Sequence, residues 1–271
     1  MLATAGTGIG HNGGPPLTPG LIARELRYAL DPVAFAINRL GFHPDPWQER
    51  VLRSTKRQVL LNCTRQAGKS TTTAVIAAHT AIYRPDSLIL LVSKAQRQSA
   101  ELFAKVSGFL ARMDTPPALD KDNALSCKLA NGSRIISLPG DGDTIRGFSA
   151  ATLVIEDEAA FVTDALYQAV RPMLAVSGGR LILMSTPHGK QGHFWQAWSS
   201  GGDAWHRESI TAHQVPRIPA DYLEQERREI GDWWFAWEYL CEFVDKIDQL
   251  FSTASIQAAI SPDLKPLQLS L

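Results

Sequence analysis

Val59-Leu-Leu-Asn-Cys-Thr-Arg-Gln-Ala-Gly-Lys-Ser-Thr71 decides the fold. Val59 to Asn62 is an apolar run that reads as a strand, and a helical stretch opens near Lys69 and continues to Tyr83. A loop joining a strand to a helix N-terminus gathers backbone N–H groups around one point, where they and the helix dipole together hold an anion. Thr64, Arg65, Gln66, Ala67 and Gly68 would form that loop. Lys69 would reach the β and γ phosphates of a bound ATP, Ser70 would hold Mg²⁺ through its hydroxyl, and Thr71 can hydrogen-bond nearby. The usual pattern is G-x-x-x-x-G-K-[ST], and Cys63 stands where its first glycine belongs. Taken alone, Gly-Lys-Ser also describes an ordinary turn with an N-cap serine.

Two later segments give the loop its context. Thr152-Leu-Val-Ile-Glu-Asp-Glu-Ala-Ala-Phe161 is an apolar strand that ends in acids. Parallel sheets build their sites at the carboxyl ends of strands. Asp157 is placed to contact the Mg²⁺ shell and Glu158 to orient and polarise the attacking water. Neighbours on a strand point to opposite faces, so one of three consecutive acids faces away from the nucleotide, and Glu156 is the one expected to do so. Arg180–Ser185 is a further buried strand, ending in the hydroxyls of Ser185 and Thr186; these could sense the γ phosphate. Pro187 and Gly189 then turn the chain.

Short β-like runs alternate with helical stretches through the centre of the chain, with strands at Val59–Asn62, Ser87–Val92, Arg134–Leu138, Thr152–Ile155 and Arg180–Ser185, and an edge strand at Trp205–Thr211. Helices are expected at 69–83, 96–113 and 163–174. Upstream, 21–40 has helical spacing with a break at Pro32, and a short helix runs through Trp47 to Arg53. This alternation implies an α/β fold, a central mostly parallel sheet flanked by helices on both faces. Residues 1–20 are rich in Gly, Thr and Pro and read as a disordered leader. The core spans 21–211. Residues 212–251 form a Trp-rich helical lid or linker subdomain, and 252–271 a polar tail.

Lys plus Arg and Asp plus Glu number 27 each, so formal net charge is zero. That balance counts against tight DNA wrapping by an isolated monomer but not against a local basic stripe or a ring of weak contacts. Three scattered cysteines offer neither a disulfide framework nor a zinc cluster, and the longest apolar runs are strand-sized, so no membrane partner is expected.

Loop, acidic strand and Ser-Thr-Pro strand, in this order, resemble the ATPase domain of phage terminase large subunits, an ASCE-type P-loop NTPase. The resemblance spans roughly residues 44–251. It rests on Arg65-Gln66 in a deviant loop, Asp157 to Phe161, Ser185 to Gly189, and the aromatic pair Phe194-Trp195. It implies an ATP- and Mg²⁺-dependent motor that moves double-stranded DNA into proheads from a homo-oligomeric ring. Its expected partners are a portal protein, a terminase small subunit and a separate nuclease chain, in the cytoplasm of an infected or lysogenic bacterial host. By the same resemblance Gln48, beside Trp47, reads adenine, Ser185, Thr186 and Pro187 couple hydrolysis to DNA gripping, and Arg146 is the arginine finger. Arg65 competes for the finger role, and pairing of Arg146 with Asp141 or Asp143 is the plainer alternative. Family members continue into a nuclease domain; the tail at 252–271 reads as the start of a missing one, so no nuclease activity is expected here. The rival readings are a helicase-like DNA-remodelling ATPase and a nucleotide-binding assembly subunit with little hydrolysis.

Other features have plainer readings. His188, His193 and His206 fit no ligand spacing and read as solvated or structural. Trp195 and Trp198 read as packing residues rather than base-stacking ones, and Trp233, Trp234 and Trp237 as anchors of the lid. Lys94 and Arg97 follow the second strand, either as a DNA-tracking site or as an ordinary helix-start surface.

Overall fold

The computed structural model describes residues 18–140, 145–244, 255 and 258–259. Its strands are β1 Gln58–Cys63, β2 Leu88–Ser93, β3 Leu119–Asn123, β4 Ser126–Leu129, β5 Arg134–Pro139, β6 Leu153–Asp157, β7 Arg180–Ser185 and β8 Trp205–Ile210. The helices are α1 Pro19–Leu30, α2 Pro32–Leu40, α3 Pro46–Arg53, α4 Lys69–Tyr83, α5 Gln96–Ala111, α6 Asp164–Ser177, α7 Gly192–Ser200 and α8 Ala220–Glu238. One eight-stranded sheet forms in the order β3-β4-β5-β2-β6-β7-β1-β8. From β5 to β8 every pairing is parallel, and β3 and β4 add antiparallel at one edge. β7 lies between the loop-bearing strand β1 and the acidic strand β6, the ASCE arrangement.

Side-chain alternation divides the sheet into two covered faces. Val59, Leu61, Ile89, Leu91, Ile155, Ile182 and Met184 pack with α2 to α5 in one core. Leu60, Leu90, Val92, Val154, Leu181 and Leu183 pack with α6 and α7, around the fully buried Phe194, in the other. Strands buried on both faces need apolar residues at every position, which is why LVI and LILM carry no alternation.

The Pro32 break is a clean one. Asp31 ends α1 and caps α2, its Oδ1 accepting the Val33 N–H at 3.0 Å. α1 begins at Pro19 behind a Thr18 cap, two residues inside the expected leader; positions 1–17 lie outside the described residues. No sequence pattern predicts the β3–β4 hairpin. Every residue of β3 is exposed, so Leu119-Asp-Lys-Asp-Asn123 carries no apolar alternation to read.

After β8 the chain rises through α8, kinked at Gly231 with φ +80°. Leu223 and Phe235 bury themselves on Ala212 to make a small third core. The three cysteines are free and buried. Burial raises the thiols of Cys127 to about 11 and Cys241 to about 12, and that of Cys63 further still.

Candidate active site

β1 delivers the chain into the loop at Cys63, whose side chain is wholly buried. The first-glycine position therefore belongs to the strand and not to the turn. The turn itself is made by Gln66 at φ +60° and Gly68 at φ +99°, the N-cap of α4. The backbone at φ +99° requires glycine there, and a Cβ would in addition sit 2.7 Å from Gln48 Nε2 and push that amide aside.

Lys69 is buried and points back along the loop, its Nζ donating to the carbonyls of Cys63 at 2.9 Å and Thr64 at 3.3 Å. Loop residues 65–71 line a cavity of about 440 Å³ together with Asp157, Glu158, and Gln98, Glu101, Leu102 and Lys105 of α5. The lysine and both acids thus share one hollow.

Asp157 ends β6, and its Oδ1 accepts the Glu158 N–H at 3.0 Å. Burial, then the neighbouring Glu158 charge, lift its carboxyl to about 6 against the pull of Lys69 and Lys105. Glu158 lies at φ +53°, an uncommon conformation for a residue with a side chain. This twist turns its carboxylate toward β7, where Ser185 Oγ donates to Oε2 at 3.2 Å. Thr186 is also buried.

Glu156 is buried on the opposite face, as the alternation requires. Its Oε1 meets His193 Nε2 at 2.8 Å, and His193 Nδ1 meets Asp164 Oδ1 at 3.1 Å. Tyr167 stacks on the imidazole at 4.6 Å. Burial raises the Glu156 carboxyl, and the two carboxylate partners of His193 outweigh burial and raise its imidazole. His193 thus joins the acidic strand to α6 and α7. His188 lies between the rings of Phe161 and Trp237 at 4.3 and 5.5 Å, and His206 meets Glu208 at 3.3 Å.

Residues after β8 reach the loop through contacts that sequence reasoning missed. Thr64 Oγ1 donates to the Glu238 carbonyl at 2.8 Å, Arg65 pairs with the Glu238 carboxylate at 3.0 Å, and Asn62 Nδ2 donates to the Cys241 carbonyl at 2.8 Å. Trp237 Nε1 donates to the Pro187 carbonyl. A second hollow, about 820 Å³, opens between Thr64–Gln66 and the lid residues Arg217, Tyr222, Trp234 and Tyr239.

Two expected residues sit elsewhere. Gln48 lies beneath Gly68 and lines neither hollow; its Oε1 accepts the Asp45 N–H at 2.7 Å in a capping box. Arg146 lines a separate hollow beside α6, with Phe148, Gln168, Pro172 and Val176. Asp141 and Asp143, its suggested loop partners, lie outside the described residues. Trp195 and Trp198 pack on Phe243 at 4.7 and 6.0 Å, and Arg97 pairs with Glu101 at 3.2 Å on α5.

A phosphate loop at the carboxyl end of β1, an Asp-Glu pair closing β6 and β7 between them define a P-loop NTPase of the ASCE class. Residues 60–258 match the family described as terminase large subunit, T4likevirus-type, N-terminal, and the chain belongs to that family. It is 28% identical over 249 residues to the terminase large subunit of Thermus virus P23-45, covering 79% of this chain and 51% of that one. The terminase large subunit of Thermus phage G20c is 27% identical over the same length. The chain spans about half the length of these curated relatives. Among solved structures, the large terminase ATPase domain of Thermus phage P74-26 superposes with a TM-score of 0.69 at 23% identity, over 78% of this chain and 97% of that one. The ADP complex of a large terminase from a thermophilic bacteriophage gives 0.63 at 12% identity, over 74% and 54%.

Proposed function

We propose that this chain is the ATP-hydrolysing motor domain of a terminase large subunit, driving double-stranded DNA into proheads. One observation carries the reading: Lys69, Ser70, Asp157 and Glu158 line a single cavity beside the loop. Loop amides and Lys69 hold the β and γ phosphates once the ammonium leaves its carbonyl partners. Lys105, on the facing helix, adds a second cation. Glu158, held toward β7 by Ser185, orients the attacking water and takes its proton. Hydrogen-bonded through that carboxylate, Ser185 is placed to sense phosphate loss, and Pro187, bonded to Trp237, to pass it to the lid.

The residues fit Mg²⁺. Ser70 and Asp157 line the same cavity and offer the hard oxygen donors this ion takes beside phosphate oxygens. Bound there, Mg²⁺ would neutralise charge on the phosphates.

Arg146, remote from this chain's own cavity, acts as a finger on a neighbouring copy in a homo-oligomeric ring. Arg65 serves the phosphates in cis after releasing Glu238. Gln48 supports Gly68 from below, and reading the adenine with both edges of its amide requires Oε1 to leave Asp45. The DNA-packaging role places the chain in the host cytoplasm with a portal protein, a small subunit and a separate nuclease chain or domain.

ATP turnover with and without duplex DNA tests the proposal. Glu158→Gln should bind ATP normally and lose turnover by at least about a hundredfold. Undiminished turnover in that variant rejects the assignment, and negligible wild-type turnover returns the chain to an assembly subunit.

A further inference from the structure

The edge of the sheet opposite the nucleotide cavity carries a half-buried cation with no carboxylate partner among the described residues. Arg180 opens β7, and one guanidinium nitrogen donates to the Val51 carbonyl at 3.3 Å while its Nε is buried with no partner. Burial alone acts on its charge, pulling it to about 10, still ionised at neutral pH. Among the described residues no carboxylate lies within 4.0 Å of it. Nearby acids are engaged elsewhere: Glu25 with Arg39 and the Tyr83 hydroxyl, and Asp31 with Arg53. A half-buried charge whose Nε has no partner gains from an anion placed against it.

Arg180 lines a cavity of about 320 Å³ with Arg84, His79, Thr80 and Thr152. Arg84 is exposed and comes from the end of α4, so two arginines line the cavity from separate elements. Thr152 Oγ1 accepts the Leu88 N–H at 3.4 Å, which leaves its own proton to donate. His79 Nε2 is engaged by the Tyr28 carbonyl at 2.9 Å.

The charge continues along the edge. Register pairs Leu88 with Arg134, Leu153 with Arg180, and Leu181 with Gln58. Arg134 at the start of β5, Arg84 ahead of β2, Arg180 at the start of β7 and Arg57 ahead of β1 therefore lie along one edge of the sheet, with β6 between the second and the third. None of the four has a carboxylate within ion-pair distance among the described residues. Asp86, the acid in this row, lies against Gly132.

We infer that this cavity is a phosphate site, in which Arg180 and Arg84 clamp an oxyanion and Thr152 donates a third hydrogen bond. Guanidinium forks match phosphate oxygens bidentately. A row of cations on both sides of the clamp suits a phosphate carried on a chain as well as a free one. The inference is independent of the ATPase reading.

Inorganic phosphate is the first probe, titrated calorimetrically into Lys69→Ala protein so that the nucleotide loop is silent. One phosphate should still bind, and Arg180→Gln or Arg84→Ala added to that background should weaken it at least tenfold. Arg84 is exposed, so its variant keeps the test open if the Arg180 variant folds poorly. A short DNA duplex is the second probe: Arg84→Ala should lower the slope of log affinity against log salt by about one if the phosphate belongs to a nucleic-acid backbone. Loss with inorganic phosphate alone identifies a free anion. Abolition of phosphate binding by Lys69→Ala alone, or unchanged binding of both probes in the arginine variants, overturns the inference.

Discussion

Ser185 and Glu158 share a hydrogen bond across 3.2 Å, and the strained backbone of Glu158 is what aims the carboxylate at it. Hydrogen bonds to charged groups contribute about 1.5–3 kcal/mol. Ser185→Ala should accordingly lower kcat for ATP about ten- to a hundredfold with KM nearly unchanged; a raised KM at constant kcat in steady-state assays would move the hydroxyl from water positioning to ground-state binding. Asp157 predicts a pH dependence of stability. Its carboxyl is raised from the ordinary 3.8 to about 6, so below about pH 4 it is protonated whether the chain is folded or not, and it costs nothing. As pH rises through 6 the folded state must ionise it in a buried place, and stability falls. Asp157→Asn should melt above wild type at pH 7–8, without nucleotide, and at the same temperature near pH 4. A constant gap across thermal scans at those pH values contradicts this account. The loop and both acids are legible in the sequence because each is a local pattern on a strand end. Alternation says that one of the three acids faces away, with Glu156 the expected one, and Glu156 does pair with His193 on the far side of the sheet.

At the scale of elements, His193 ties β6, α6 and α7 together, and in the sequence it is only a histidine of no ligand spacing. Its partners Glu156 and Asp164 lie 37 and 29 residues away, beyond any periodicity. Removing it leaves Glu156 buried and unpaired, which costs about 3–5 kcal/mol. His193→Ala should lower the stability measured by denaturant titration by that amount, and Glu156→Gln alongside it should recover part of the loss because the buried charge is gone. A double variant no more stable than His193→Ala would show that the ion pair is not what is lost. The contacts of Glu238 and Cys241 escape detection for the same reason: the Arg65–Glu238 ion pair spans 173 residues, and the other two run to backbone carbonyls, which carry no sequence signature. The β3–β4 hairpin escapes for a different one, since an exposed strand needs no apolar residues.

Across the whole molecule, the zero net charge conceals a division of labour. Acids and the phosphate loop occupy the carboxyl edge of the sheet, and arginines without carboxylate partners among the described residues occupy the other. The remoteness of Arg146 from its own cavity makes a prediction about assemblies. Arg146→Ala and Glu158→Gln should each be nearly inactive alone, yet a mixture should recover turnover, because one copy lends its arginine to the intact acid of the other. No recovery at concentrations that support wild-type activity would place the finger on Arg65. Six of the eight strands among the described residues, and most of the helices there, follow from patterning, while the distribution of charge between the edges depends on strand order, which a linear chain does not display. The interior position of all three thiols, each shifted well above neutrality, has a practical outcome. Maleimide dyes should ignore the native cysteines, so a single cysteine introduced at the solvent-facing Val176 or Tyr222 can carry a fluorophore without prior removal of any natural one. Paired with a second dye on a DNA duplex, such a reporter would test the proposed translocation directly.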